Sequence, residues 1–398
     1  MRSRSIPLSP AAYSRLKPPE RPNGHGLPDN AKKEGLPAKG STKENINMTT
    51  LSYSVTQPGL RSLVDEWQPH AKQSESTTEW WYLTAVVHDT AGNPYFLVWC
   101  PFHFSGEKSS QMSAGLPRDQ RVIAALTGFT DYRDTVHIGG FPAAVVNEAD
   151  TWEPRTNALH FVAGDYRSEW SYNGDAMHLT VASPQLSYDL RLTGAGQVMY
   201  AKDKLGTEGF IQEGASDDRS YYYSLPRVEI VGRITYTGRG GVRREIDVTG
   251  QGWVDRQWGD FLTKSWEWSS LRFSNGARVN LYNFANGYQV ATYQKADGST
   301  QWLDSFLVHQ IGYLRTPERG VWLSWGWSYE FPVEVEGSRH YTLEPFSKLD
   351  VYETPSNTLF EGPSRLINDD TGETVGVAVT ESMDVRIMQN APYAANQH

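Results

Sequence analysis

Residues 79–104 read EWWYLTAVVHDTAGNPYFLVWCPFHF, and this stretch predicts a β-hairpin. Its two apolar runs, Glu79–Val87 and Tyr95–Phe104, have strand length and are rich in aromatic and β-branched residues. The segment His88–Pro94 between them contains Gly, Asn and Pro, which are the residue types of tight turns. We therefore expect the folded part of the chain to begin with two neighbouring antiparallel strands.

Further strand-like segments follow at short intervals, separated by turn residues such as Asn173-Gly174, Asn275-Gly276 and Asp297-Gly298. The predicted strands are Ala158–Val162, Ala176–Ala182, Ser187–Leu192, Val228–Thr235, Ala277–Phe284, Gly287–Gln294 and Ser299–Val308. One short helix is predicted, over Pro117–Ala125. Evenly spaced strands with such turns are typical of an all-β sandwich or barrel.

Residues 1–50 differ from the rest in composition. They hold nine Lys or Arg, four Asp or Glu, seven of the 22 prolines and one aromatic residue, Tyr13. Such a segment buries too little apolar surface to offset its ordering entropy, so we expect a disordered tail. The alternatives are an upstream start, with Met48 as an internal start, and an organelle transit peptide. Two domains are expected after the tail, over residues 51–235 and 236–398.

Composition argues against several classes of function. The chain has 37 Lys or Arg and 46 Asp or Glu, and its net charge of −9 is unlike that of a dedicated nucleic-acid binder. A single cysteine, Cys100, excludes an intrachain disulfide framework, and the histidines lack metal-ligand spacing. The longest uncharged apolar run, around Tyr95–Phe102, is shorter than the roughly 20 residues that span a bilayer. We expect no metal, no cofactor and a cytoplasmic location, because no apolar leader run is present.

The segment Gly250–Ser269, GQGWVDRQWGDFLTKSWEWS, concentrates the residues that can carry chemistry. A carboxyl group among indoles is desolvated, which raises its pKa and suits it to act as a general acid. The indole faces can stabilise a carbocation by cation–π attraction. The alternative is that Asp255 pairs with Arg256 or caps a turn among core tryptophans. Alternate residues of a strand share a face. We therefore expect Trp253, Asp255 and Gln257 on one face, and Val254, Arg256 and Trp258 on the other.

Three other places hold candidate residues. Glu79 is either a second carboxylate at the mouth of a pocket or a strand-edge charge bonded to an arginine or the backbone. Tyr222 and Tyr223 either orient a polar substrate group through their hydroxyls or form a half-buried strand. His103 is either a catalytic base or a core histidine.

Four segments, in this order and spacing, resemble signatures of the lipocalin-like AttH/CrtC family. They are Glu79-Trp80-Trp81-Tyr82 (EWWY in the family), Tyr222–Arg227 (YYSxPR), Gly250–Gly259 (G-x-AWxDHxWG) and Ser265–Gly276 (GWDWFxLxLxDG). Near the C-terminus, Leu359–Gly362 is similar to the family's YWEG element. Gly376–Val379 keeps only the glycine of the family's GYxE element.

This resemblance implies two consecutive lipocalin-like antiparallel β-barrels with a ligand pocket at or between them. The family includes carotenoid 1,2-hydratases (hydroxyneurosporene synthases) and kievitone hydratase, and fungal Diels–Alderases are distant relatives. The aspartate of its D-x-x-W-G motif looks like a proton donor to a terminal double bond, and Asp255 stands at that position. Arg256 replaces the family's histidine and lowers the pKa of Asp255 unless it points to the other face.

We therefore expect an enzyme that hydrates or dehydrates a C=C bond of an apolar, unsaturated isoprenoid or polyketide, with or without cyclisation. The expected catalytic residues are Asp255, Glu79 and Tyr223. The expected substrate-binding residues are Trp81, Tyr222, Trp253, Trp258, Trp266, Trp268 and His103. Two alternatives remain: a pericyclase that folds a reactive polyene, and a lipocalin-type carrier that binds its ligand without turnover. The expected partner is an apolar small molecule, and the sequence leaves the oligomeric state open.

Overall fold

The computed structural model describes residues 69, 78–104, 120–147, 150–173, 176–194, 198–202, 208–212, 219–260, 266–303, 305–354 and 358–383. The tail predicted over residues 1–50 lies outside them. The described elements are strands and one short 3-10 turn, Arg239–Gly241, so the all-β prediction is confirmed. Among these residues, no helix has the length and apolar character that a membrane crossing needs.

The first sheet is antiparallel and has 14 strands. The strands are β1 (Thr78–Asp89), β2 (Pro94–Phe104), β3 (Gln120–Asp131), β4 (Val136–Gly140), β5 (Ala143–Asn147), β6 (Trp152–Glu153), β7 (Ala158–Ala163), β8 (Tyr166–Tyr172), β9 (Ala176–Ala182), β10 (Leu186–Thr193), β11 (Met199–Tyr200), β12 (Phe210–Gln212), β13 (Arg219–Thr237) and β14 (Arg243–Asp260). Their order is β4-β3-β2-β1-β14-β13-β10-β9-β8-β7-β6, with β5 on β3 and both β11 and β12 on β13.

The second sheet is also antiparallel and has ten strands. The remaining strands are β15 (Trp266–Phe273), β16 (Arg278–Phe284), β17 (Gln289–Gln294), β18 (Thr300–Leu303), β19 (Leu307–Gln310), β20 (Tyr313–Arg315), β21 (Trp322–Ser324), β22 (Trp327–Val335), β23 (Ser338–Pro345), β24 (Val351–Glu353), β25 (Thr358–Asn368) and β26 (Thr374–Ser382). The order is β18-β17-β16-β15-β26-β25-β23-β22-β19, with β24 on β25, and β20 and β21 form a separate pair. One of the two large sheets is a half-barrel.

In each large sheet the first strand pairs with the last. β1 pairs with β14, and β15 pairs with β26. Both opening strands begin with a tryptophan-rich segment, Glu79–Tyr82 in β1 and Trp266–Trp268 in β15. The two halves of the chain therefore place tryptophan-rich segments at equivalent positions.

The passage from one sheet to the other falls between Asp260 and Trp266. The predicted domain division between residues 235 and 236 does not coincide with it. The reason is that β13 and β14 are the two arms of one long hairpin, paired from Arg219–Asp260 down to Thr237–Arg243.

Two local predictions need correction. The helix predicted over Pro117–Ala125 is wrong where it is described, because Gln120–Asp131 is strand β3. A short apolar run fits either a helix or a buried strand, and pairing with β2, β4 and β5 decides for the strand. The predicted strand Ser299–Val308 is divided into β18 and β19. The turns expected at Gly276 and Gly298 are present, with positive φ angles of 101° and 88°.

A layer of aromatic side chains lies between the two large sheets, and we call it the inter-sheet layer. Trp80 of β1 stacks on Trp266 of β15 with ring centroids 6.1 Å apart, which joins the sheets directly. The principal members of the layer are Trp80, Tyr82, Tyr222 and Trp253 from the first sheet, and Trp266, Trp268, Tyr282 and Phe284 from the second. A separate apolar core lies on the other face of the second sheet, around Trp327, Tyr329 and Leu343.

Candidate active site

Asp255 is a carboxyl group within the inter-sheet layer. It lies on β14 opposite Tyr82 of β1 and Ser224 of β13 in the strand register. Residues paired across antiparallel strands share a face, so these three side chains point to the same side. Asp255 is only 3% exposed, and the indole N–H of Trp253 donates a hydrogen bond of 2.6 Å to its Oδ1. The structure thus places a carboxyl group among indole and phenol rings.

Burial raises the pKa of Asp255 from 3.8 to about 7. Hydrogen bonds with Ser224, Tyr222 and Trp253 lower the pKa, and so does the charge of Arg272, but burial outweighs all of them. A carboxyl group with this pKa is protonated in a large fraction of molecules at neutral pH. It can therefore give up and take back a proton, as a general acid must.

Groups of the second sheet orient the hydroxyl of Tyr222. The Asn280 side-chain amide donates to the Tyr222 hydroxyl at 2.7 Å and to Ser224 Oγ at 3.1 Å. The indole N–H of Trp268 donates to Asn280 Oδ1 at 2.8 Å, which fixes the amide orientation. Because the Tyr222 oxygen accepts from Asn280, its own proton is available for the hydrogen bond with Asp255.

Aromatic rings surround this network. Trp268 packs edge-on against Tyr82 and Trp253, with centroid separations of 5.2 and 6.2 Å. Arg272 of β15 reaches across to the first sheet, where its Nη2 donates to Thr84 Oγ1 at 3.0 Å. The electron-rich faces of such rings attract a positive charge that develops beside them.

Two more carboxyl groups, Glu361 on β25 and Glu381 on β26, interact with this layer, and neither was among the site residues predicted from the sequence. The Tyr82 hydroxyl donates to Glu361 Oε1. Glu381 is hydrogen-bonded to Trp266. Burial is the main cause that raises the pKa of Glu361 well above its usual value and that of Glu381 to about 7.

The sequence held a signal for one of these two residues. Glu361 is the glutamate of Leu359–Gly362, the segment that resembles the family's YWEG element. In the family's GYxE element the glutamate stands at the position that Val379 occupies in this chain. Glu381 lies two positions later on the same strand, β26, and so on the same face.

The neighbour of Asp255 in the chain, Arg256, points to the opposite face of β14. There it forms a buried ion pair with Glu79, the two side chains being 0% and 1% exposed. Its guanidinium lies over the Trp81 ring at 3.9 Å and the Trp258 ring at 5.4 Å from the centroids. The alternative in which Asp255 pairs with Arg256 is therefore wrong, and the arginine bonds Glu79 as the second interpretation of that residue expected.

His103 and Tyr223 belong to the group around this ion pair. The His103 ring meets Trp81 edge-on at 5.1 Å, and Tyr223 meets Trp258 at 6.2 Å. Burial lowers the pKa of His103 to about 4, so the imidazole is neutral at physiological pH.

The ten residues predicted for the site thus divide between the two sides of the first sheet. On the inter-sheet side lie Asp255, Tyr222 and Trp253 of the first sheet, together with Trp266 and Trp268 of the second. The opposite face holds Glu79, Trp81, His103, Tyr223 and Trp258. Within the described ranges, no group of three or more His, Cys, Asp or Glu side chains is placed to hold a metal ion.

A sequence model of the AttH-like family matches residues 62–380. The chain belongs to the AttH-like family. The relationship predicted from the four motifs is therefore confirmed. No curated protein matches this AttH-like chain significantly by sequence.

Two solved structures share the fold of the AttH-like chain. One is an AttH protein of Nitrosomonas europaea, with a TM-score of 0.63 and 18% identity over 77% of this chain and 92% of that one. The other is kievitone hydratase of Nectria haematococca, with a TM-score of 0.56 and 15% identity over 83% of this chain and 94% of that one. At these identities the likeness shows the fold alone.

Proposed function

We propose that this AttH-like protein is an enzyme that adds water to a C=C bond of an apolar, unsaturated small molecule, or removes water in the reverse direction. The observation that carries the proposal is Asp255, a buried carboxyl group with a pKa of about 7 among indole and phenol rings. Membership of the AttH-like family and a fold shared with a protein named as a hydratase support it.

In the hydration direction, the O–H bond of protonated Asp255 breaks and its proton forms a C–H bond with one alkene carbon. The positive charge left on the other carbon is held beside the faces of Trp253 and Trp268. A water oxygen then forms the C–O bond and releases a proton, which restores the acid. The proton released by the water passes to a base, and Asp255 regains the proton that it gave to the alkene. When both transfers are complete, no net proton is consumed.

The aromatic lining indicates the class of substrate. Indole and phenol rings offer wide apolar contact, and several of the polar groups among them are bonded to one another. We propose an unsaturated isoprenoid or polyketide as the substrate class.

The test is incubation of the purified protein with a panel of polyenes, prenylated phenols and hydroxylated polyketides in H₂¹⁸O, with products identified by mass spectrometry. We expect a product that carries one ¹⁸O, or a substrate that loses water. Asp255→Asn should lower the rate by about 10²- to 10⁴-fold, the usual contribution of a general acid. A product isomer of unchanged mass would instead indicate a cyclase or pericyclase, and ligand returned unchanged would indicate a carrier.

Asp350→Asn is the matched control. Asp350 is also fully buried, and burial raises its pKa to about 7 as well. Its oxygens accept hydrogen bonds from Thr130 at 2.6 Å and Tyr132 at 3.0 Å instead of from the site's tryptophan. Hydration that survives Asp350→Asn and not Asp255→Asn ties the loss to the acid itself and not to the removal of a buried charge.

A further inference from the structure

Glu361 and Glu381 form a pair of carboxyl groups that the acid step does not use. They are direct partners in the antiparallel register of β25 and β26, so their side chains stand side by side on one face. Glu361 is 0% exposed, whereas Glu381 is only partly buried. The pair thus joins a fully buried glutamate to one that is buried only in part.

Two ionised carboxylates cannot easily occupy this place together. The charge of Glu381 raises the pKa of Glu361, and the charge of Asp255 raises the pKa of both glutamates. The titratable groups that interact with the pair are all acids: Tyr82, Cys100, Asp255, Tyr282, Asp350 and Tyr352. Because these neighbours are neutral or anionic, the pair holds one proton between its two carboxyl groups near neutral pH.

One oxygen of the pair has spare bonding capacity. The Tyr82 hydroxyl donates to Glu361 Oε1, but Glu361 Oε2 is buried and has no hydrogen-bond partner among the described residues. A buried carboxyl oxygen without a partner is costly, so such positions are usually filled by water or a ligand group. Tyr82 connects the two parts of the site, since it is also the register partner of Asp255.

We propose that the Glu361–Glu381 pair is the catalytic base of the site, binding the water that adds to the substrate, or the hydroxyl that leaves in the reverse reaction, and exchanging its proton. The proposal rests on the function proposed above. As the water oxygen forms its C–O bond, one water O–H bond breaks and that proton passes to the ionised carboxylate of the pair. The pair then returns a proton to the Asp255 carboxylate, and the site regains its starting charge.

The experiment measures ¹⁸O incorporation and the pH–rate profile of Glu361→Gln, Glu381→Gln and the wild-type protein. Glu344→Gln is the control, because Glu344 is an exposed residue of β23 that pairs with Arg365 on the surface. We expect Glu361→Gln to lower the rate by about 10²-fold or more. In Glu381→Gln the neighbouring negative charge is gone, so the pKa of Glu361 falls and the low-pH limb of the profile moves to lower pH.

A second measurement does not depend on turnover. In protein labelled with ¹³C at the glutamate carboxyl carbons, NMR follows the titration of Glu361 directly. We expect the Glu361 signal, assigned through Glu361→Gln, to titrate at lower pH in Glu381→Gln than in the wild type. Because Glu381 is partly exposed, the pH–rate profile of Glu381→Gln tests the pair even if Glu361→Gln does not fold.

The outcomes separate this inference from the proposed function. If the wild type incorporates ¹⁸O but both glutamine variants keep its rate and its pH profile, the base role is wrong and the hydratase proposal stands. An unchanged Glu361 titration in Glu381→Gln contradicts the shared proton. If the wild type neither adds nor removes water on any substrate, the proposed function fails, and the base role fails with it.

Discussion

The two faces of the first sheet give their buried carboxyl groups different hydrogen-bond partners. On one face Glu79 is bonded to Arg256, and two tryptophans cover the guanidinium. On the other face Asp255, one residue along the same strand from Arg256, is bonded to an indole and to hydroxyl groups. A buried ion pair satisfies both charges, whereas a carboxyl group held by neutral donors remains able to change its protonation state.

The comparison shows how a single strand can serve stability and chemistry together. Alternation of side chains directs Arg256 away from Asp255, so the arginine can neutralise Glu79 while its direct effect on the acid is limited. An arginine at position 256, in place of the histidine of the motif that Gly250–Gly259 resembles, is therefore compatible with an acidic function at Asp255. We propose that the Glu79–Arg256 pair stabilises the fold and that the carboxyl groups of the inter-sheet layer transfer protons.

The largest expected effect on stability is at the ion pair. Glu79→Gln or Arg256→Met leaves one buried charge or dipole without its partner, and we expect a loss of about 3–5 kcal/mol in the free energy of unfolding. The double variant Glu79→Leu, Arg256→Met removes both charges and should lose less than either single variant. Urea unfolding at pH 7 measures all three. Single variants that cost less than 1 kcal/mol would contradict a structural role for the pair.

On the other face, removal of a carboxyl group should stabilise the protein. Between pH 3.8 and about 7, native Asp255 retains a proton that the unfolded chain has released, so wild-type stability falls as the pH rises through this range. Asparagine cannot ionise. At pH 8 we therefore expect Asp255→Asn to be more stable than the wild type by up to about 4 kcal/mol, since each pH unit is worth about 1.4 kcal/mol.

Unfolding by urea at pH 4 and pH 8 tests this sign. The advantage of Asp255→Asn should shrink as the pH falls towards 4, and Asp350→Asn should behave in the same way. An Asp255→Asn protein that is less stable than the wild type at pH 8 would show that the aspartate is stabilised by a charge, as Glu79 is.

The smallest effect is expected from Tyr222→Phe. The hydrogen bond from Tyr222 lowers the pKa of Asp255, so its removal raises that pKa by about half to one pH unit. The high-pH limb of kcat/KM should move upward by the same amount, while Tyr223→Phe, on the other face, should leave it in place. A limb that does not move, or that moves downward, would mean that this pH dependence does not report Asp255.

Local sequence patterns predicted the strands well but not the helix-like run at Pro117–Ala125. The hairpin of residues 79–104 and the turns at Gly276 and Gly298 depend on residues close together in the chain, and these features are present. Gln120–Asp131 is a strand because its neighbours in the sheet provide hydrogen-bond partners on both sides, which a local pattern cannot show.

The site was predicted in part, for a similar reason. Alternation along β14 correctly separated Asp255 from Arg256. Which residues of β1 and β13 join each of them depends on the strand register, and this register places Tyr82 beside Asp255 and Trp81 beside Arg256. Glu361 approaches only through the packing of the second sheet against the first, more than a hundred residues later in the chain.

The proposed chemistry depends above all on Asp255 holding its proton up to neutral pH. Protein labelled with ¹³C at the aspartate carboxyl carbons can be titrated by NMR, with Asp255→Asn and Asp350→Asn used to assign the two buried signals. We predict that the signal missing from Asp255→Asn changes its chemical shift with a midpoint near pH 7 in the wild type. A midpoint near pH 4, as for an ordinary aspartate, would contradict the account.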